Sequence, residues 1–272
     1  MNWADQLFLS PYLSQLGMYH WAIRAVSVPT LIVSSAVTAL FPKLSELYAQ
    51  RGRESLEKAF QTSSRYAVLV GFPLAIGLAA LSEPVMVTLA GPAYREAALP
   101  LTIICFSVIP QTLGLAVSPT LLTLEETKIA SLVSVSSITA NVAFCYVNLV
   151  CLGMGMLGAA YARLLSSMVS LTLGVLTLKR RIHVSFDLDA LWKASTSSAA
   201  MAAFLLLLRR VEALISPAYL LPAYVVAGGG VYFFTLVGLR AIQRRDIEFM
   251  RDYLPDSLKW LTGWLSHLAR VR

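Results

Sequence analysis

Five polar side chains stand inside otherwise apolar runs of the 272-residue chain: Asp5, Arg24, Gln111, Asn141 and Arg163. Ionisable groups within hydrocarbon are costly, and they normally face a bundle interior and mark a pathway. Counting 1.5 Å per helical residue from the nearest helix end expected outside places them in one band of the outer half. Asp5 lies about 18 Å down, Arg24 about 9 Å, Gln111 about 18 Å, Asn141 about 15 Å and Arg163 about 12 Å. Five such residues on five helices suggest a hydrated cavity. Two arginines there suit an anion, because a planar guanidinium grips phosphate with two parallel hydrogen bonds. Arg24, Arg163, Asn141 and Gln111 are therefore the expected substrate contacts. Asp5 either offsets one arginine or binds a proton or Na⁺, which makes it the candidate for ion coupling.

Other chemistries find little support. Cys105, Cys145 and Cys151 all sit in apolar runs without CxxC or zinc spacing, and His20, His183 and His267 are scattered. No histidine is placed with an acid and a nucleophile inside a span, so no enzyme, cofactor or metal is expected. The string GMGMLG (153–158) matches GxGxxG. A dinucleotide site would need a short strand before it and an acid about twenty residues later. Here a long apolar run precedes it, and GVLTLKRR follows. A tight glycine turn between two helices is the better reading.

The elements that must position these residues follow from composition. The chain is 57% hydrophobic and 14% charged, with a mean hydropathy of +0.68. A soluble domain carries about 25% charged residues, so too little charge remains here to cover a water-exposed surface. Disorder is excluded on the same numbers. Only helices or closed barrels satisfy every backbone group in lipid, and the apolar runs are too long and continuous for barrel strands. The expected class is an all-α polytopic bundle of about eight transmembrane helices. They cover 2–17, 18–41, 64–89, 99–122, 129–151, 156–178, 190–208 and 219–239, and the first is short. Pro42 and Lys43 are expected to close the second, and a polar amphipathic connector to fill 44–63. Pro29, Pro73, Pro84, Pro110 and Pro119 are expected to kink helices two to four, as suits a rocking transporter.

Charge placement orients the chain. With the N-terminus inside, 17 of the 22 lysines and arginines fall on the inner side and three on the outer, Arg95, Arg209 and Arg210. Lys and Arg collect on the cytoplasmic side, so both termini are expected in the cytoplasm. The net charge of +7 then faces anionic inner-leaflet lipid; charges scattered over helix ends do not make a nucleic-acid surface. The tail after Arg240 reads as an interfacial helix, with Leu258, Leu261, Leu265 and Leu268 flanked by Trp260 and Trp264.

Several strings, in order, resemble one family: DQLFLSPYLSQLGMYHWA (5–22), TALFPKLSELYAQRG (38–52), SSRYAVL (63–69), PLAIGLAAL (73–81), GPAYREAALPL (91–101) and GMLGAAYAR (155–163). They resemble the second half of polysaccharide-type flippases of the multidrug/oligosaccharidyl-lipid/polysaccharide exporter superfamily. The resemblance implies two helical lobes around a central cavity. It implies that a lipid-linked oligosaccharide crosses the cell membrane by alternating access, with Arg24 and Arg163 meeting the lipid pyrophosphate. Residues 1–178 would be the second lobe's six-helix bundle, 179–240 an additional helix pair, and 241–272 a cytoplasmic amphipathic tail. The first lobe has no counterpart in this sequence, so a separate first-lobe chain is an expected partner beside substrate and membrane lipid. Two rival readings stand: a cation-coupled drug exporter of the same fold, and a non-transporting membrane scaffold or inactive fragment.

Overall fold

The computed structural model describes residues 4–211 and 217–239. The expected interfacial helix of the tail lies outside them. Ten α-helices follow one another, with no strand among the described residues. They are α1 (Ala4–Leu9), α2 (Leu13–Arg51), α3 (Arg53–Ala80), α4 (Ser82–Ala90), α5 (Ala98–Gly114), α6 (Val117–Thr123), α7 (Thr127–Cys145), α8 (Gly155–Lys179), α9 (Leu188–Val211) and α10 (Pro217–Gly238). A 3₁₀ turn at Pro92–Ala97 precedes α5, and a π-helix at Tyr146–Cys151 extends α7. Six stretches are long and apolar enough to cross a membrane: Arg53–Ala80, Pro92–Thr123, Thr127–Cys151, Gly155–Lys179, Leu188–Arg210 and Leu221–Gly238. The 39-residue α2 also has the length to cross. The molecule is an all-α, multi-pass membrane bundle.

Prolines set several boundaries, and not always where the sequence suggests. The chain breaks at Ser10–Tyr12, before α2 begins at Leu13, rather than at Gly17. Pro11 has no N–H to give the Leu7 carbonyl four residues back, and Ser10 Oγ donates to it instead at 2.8 Å. Pro42 does not close α2, which continues to Arg51. The turn comes at Gly52, with φ +71°, a left-handed conformation that favours glycine. The expected connector 44–63 is thus helical on both sides of that turn. It is also not merely solvated: Leu56 and Phe60 of α3 are fully buried, and the Phe60 ring meets Phe186 edge-on at 5.5 Å. The expected third span ends at Ala80. Pro84 stands in the first turn of α4, where its missing N–H costs little.

Lipid offers no hydrophobic drive between helices, so close packing of small residues and buried hydrogen bonds hold them together. Helices α3, α5 and α8 form the centre, with α2, α7 and α9 around them. Gly71 of α3 lies so close to Thr112 of α5 that a Cβ there would come within 2.6 Å of its side chain. On α7, Leu132, Val135, Ile138 and Val142 are exposed along one face, which suits a helix on the lipid-facing rim. At the end bearing the α2–α3 turn, the segment 180–187 is tied down on several sides. Arg65 pairs with Asp187 at 2.9 Å, Arg181 pairs with Glu126 at 2.9 Å, and Glu57 accepts the His183 N–H at 2.7 Å. Asp187 Oδ1 also accepts the Ala190 N–H in the first turn of α9, a helix-capping contact.

Candidate functional site

The five residues of the expected band do not meet in one cavity. Asp5 and Arg163 do come together. Asp5 on α1 is fully buried, its Oδ2 accepts the Tyr19 hydroxyl of α2 at 2.7 Å, and Arg163 Nη1 of α8 stands 3.5 Å from the same oxygen. Three helices thus converge on one carboxylate. The fit is loose: Asp5 Oδ1 and Arg163 Nε have no hydrogen-bond partner among the described residues. Of the two roles the sequence left open for Asp5, this geometry favours that of counter-charge to an arginine. The sequence could not name Tyr19, which lies fourteen residues on and across the break at Pro11.

Asn141 is also fully buried. Its amide donates to Ser166 Oγ of α8 at 3.3 Å, and Ser166 Oγ in turn donates to the Arg163 carbonyl at 3.0 Å. As placed, Asn141 ties α7 to α8. Gln111 of α5 is half-buried and donates to Ser107 Oγ, one helical turn earlier, at 3.1 Å. It lines a pocket of about 400 Å³ between α2 and α5, together with Ser27, Thr30, Ser34 and Thr112. The hydroxyls of Ser27, Thr30 and Ser34 donate back to carbonyls of their own helix, which leaves their oxygens free to accept from another donor.

Arg24 lies elsewhere. It is exposed, and its guanidinium sits 5.7 Å from the Trp21 ring centroid one turn back, a cation–π arrangement. No carboxylate pairs with it among the described residues. It lines a groove of about 490 Å³ whose other walls are almost wholly apolar: Val28 and Ile32 of α2, Pro73 of α3, Val85 of α4, Leu205 of α9 and Tyr224 of α10. An elongated apolar channel with one guanidinium at its wall can hold a hydrocarbon chain and attract an anionic group attached to it.

The glycine turn behaves as expected. Gly153 (φ +64°) and Gly155 (φ +55°) take the left-handed conformation. Gln15 Oε1 of α2 accepts the Met156 N–H at the start of α8, and a Cβ on Gly155 would strike that oxygen.

At the end of the bundle away from the α2–α3 turn, Glu83 of α4 pairs with both Arg95 and Arg209. Two of the three cations expected outside therefore share one carboxylate, and the trio keeps a net charge of +1. Glu83 lies between the membrane-spanning stretches. Partial burial opposes its ionisation, but hydrogen bonds from Arg209 and Arg95 outweigh that and hold its carboxyl below its ordinary value.

Comparison with known proteins agrees with this architecture. A curated relative, the "Probable low-salt glycan biosynthesis flippase Agl15" of Haloferax volcanii, is 23% identical over 206 residues, covering 75% of this chain and 43% of the relative. The "Succinoglycan biosynthesis transport protein ExoT" of Rhizobium meliloti is 36% identical over 86 residues, covering 31% of this chain and 17% of the relative. The chain thus spans less than half the length of the curated relatives it matches. Among solved structures, a lipid II flippase MurJ in an inward closed conformation superposes with a TM-score of 0.71 at 15% identity, over 92% of this chain and 50% of that one. An outward-facing multidrug resistance MATE family transporter of the MOP superfamily gives 0.55 at 16% identity, over 99% and 73%. At these identities the structural matches speak for the fold alone. The family model described as "Lipid II flippase MurJ" matches residues 13–227; the chain belongs to that family.

Proposed function

We propose that this chain is the second lobe of a transporter that flips a lipid-linked oligosaccharide across the cell membrane, with both termini in the cytoplasm. The groove takes part of the lipid chain, and Arg24 meets the phosphate that joins lipid to sugar. The observation that carries this reading is a guanidinium without a carboxylate partner among the described residues, on the wall of an otherwise apolar groove, in a chain of a flippase family. A guanidinium in such low-dielectric surroundings attracts phosphate far more strongly than one in water. Gln111 and the hydroxyls of Ser27, Thr30 and Ser34 offer neutral hydrogen bonds suited to sugar. Arg163, engaged by Asp5, serves the joining of α1, α2 and α8.

The test uses the complete two-lobed transporter. Arg24→Ala is expected to abolish the appearance of lipid-linked saccharide on the outer face while leaving the amount of protein in the membrane unchanged. Normal export by that variant would refute the assignment. The rival drug-exporter reading rests on the likeness to the MATE fold. Against it, the groove shows no carboxylate among the described residues to hold a cationic drug, and Asp5 is occupied by Arg163.

A further inference from the structure

A proline in a helix leaves the carbonyl four residues earlier without its usual N–H donor. In lipid no water can replace that donor. Pro73 of α3 vacates the Leu69 carbonyl, and the hydroxyl of Tyr232 on α10 donates to that atom at 2.7 Å. Pro84 of α4 vacates the Ala80 carbonyl at the end of α3, and Arg209 Nη1 on α9 donates to it at 3.1 Å. Arg209 Nη2 continues to Glu83, at 2.7 Å. These two carbonyls lie eleven residues apart on the wall of the central bundle. Their donors come one from each member of the helix pair α9–α10. Pro73 and Tyr232 themselves line the apolar groove.

We infer that Tyr232 and Arg209 form a two-point clasp which docks the helix pair into carbonyls vacated by Pro73 and Pro84, and that this clasp fixes the width of the groove. Both are positioning residues. Packing holds α9 firmly, with Ala190, Ala194, Ser197 and Ser198 buried, but α10 more loosely: Val225, Val226 and Phe234 are exposed, so much of α10 faces lipid or groove rather than the bundle. The close approach of Gly228 to Leu205 joins α10 to α9, and the Tyr232 hydroxyl ties α10 directly to the α3 backbone. The clasp does not depend on what the groove holds, so it stands or falls separately from the proposed function.

The inference predicts a specific rescue. Tyr232→Phe strands the Leu69 carbonyl, and the melting temperature of the purified chain in detergent should fall by about 4 °C. Amide exchange along α10 should quicken about tenfold. Pro73→Ala restores an N–H at residue 73 that can reach Leu69, so the double variant should regain the protection of α10's anchor helix and melt within about 1 °C of Pro73→Ala alone. Its α10 should still exchange faster than in the parent, because the link to α3 is gone. Additive losses in the two variants would overturn the clasp, as would a Tyr232→Phe chain that melts and exchanges like the parent. If Tyr232→Phe alone does not fold, recovery of folding by added Pro73→Ala supports the inference, and failure of the double variant as well overturns it.

Discussion

At the scale of single residues, the buried carboxylate of Asp5 tests how charge is handled within the bundle. Removing one member of a buried ion pair leaves the other uncompensated, at a cost of about 3–5 kcal/mol, whereas replacing both with apolar groups is often nearly neutral. Asp5 has one oxygen without a partner, so its pair with Arg163 gains less than an ideal one. Asp5→Asn and Arg163→Met should each lower stability in detergent by several kcal/mol, and the double variant should lose much less than the sum, as thermal denaturation of the four proteins would record. Additive losses would mean that the two side chains do not depend on each other. The types of these residues were legible in the sequence, because an ion in an apolar run stands out against its neighbours. Their partners were not. Counting along a helix gives depth but not which way a side chain points around the axis. Depth alone therefore groups Arg24 with Arg163, although one faces a groove and the other faces Asp5.

At the scale of elements, the apolar runs of the last six spans gave their number and rough position, since lipid requires long helices. Their breaks were harder to read. Pro42 is passed over and α2 runs on to Arg51, while Pro11 breaks the chain where Gly17 was expected to do so. At Pro11 the neighbouring Ser10 hydroxyl meets the vacated Leu7 carbonyl, and α2 ends only where Gly52 supplies a left-handed turn; the mere presence of a proline does not tell the two cases apart. Glu83 joins three such elements, α4, α9 and the turn before α5. Its folded-state carboxyl titrates below the ordinary value of 4.5. The stabilisation it gives is therefore fully present above the unfolded value and is lost as pH falls through the lower folded one. The melting temperature should hold steady near neutrality and fall in acid. Glu83→Gln should lower the neutral plateau and flatten that acid decline. An unchanged acid decline in Glu83→Gln would place the sensitive groups elsewhere.

At the scale of the whole molecule, the chain spans half of a solved MurJ, and the groove and the hydroxyl-lined pocket both lie within that half. Class and family were legible early: the low charge excluded a soluble fold, and the ordered strings pointed to a flippase half. The groove was not, since it is built from five helices that the sequence lists apart. The central claim is that Arg24 holds the phosphate of a lipid carrier at that groove. It is tested most directly by native mass spectrometry of the purified chain with a polyisoprenyl diphosphate. The account predicts a lipid adduct on the parent chain, weakened about tenfold or more by Arg24→Ala and partly kept by Arg24→Lys. Equal adducts on the parent and Arg24→Ala would contradict it.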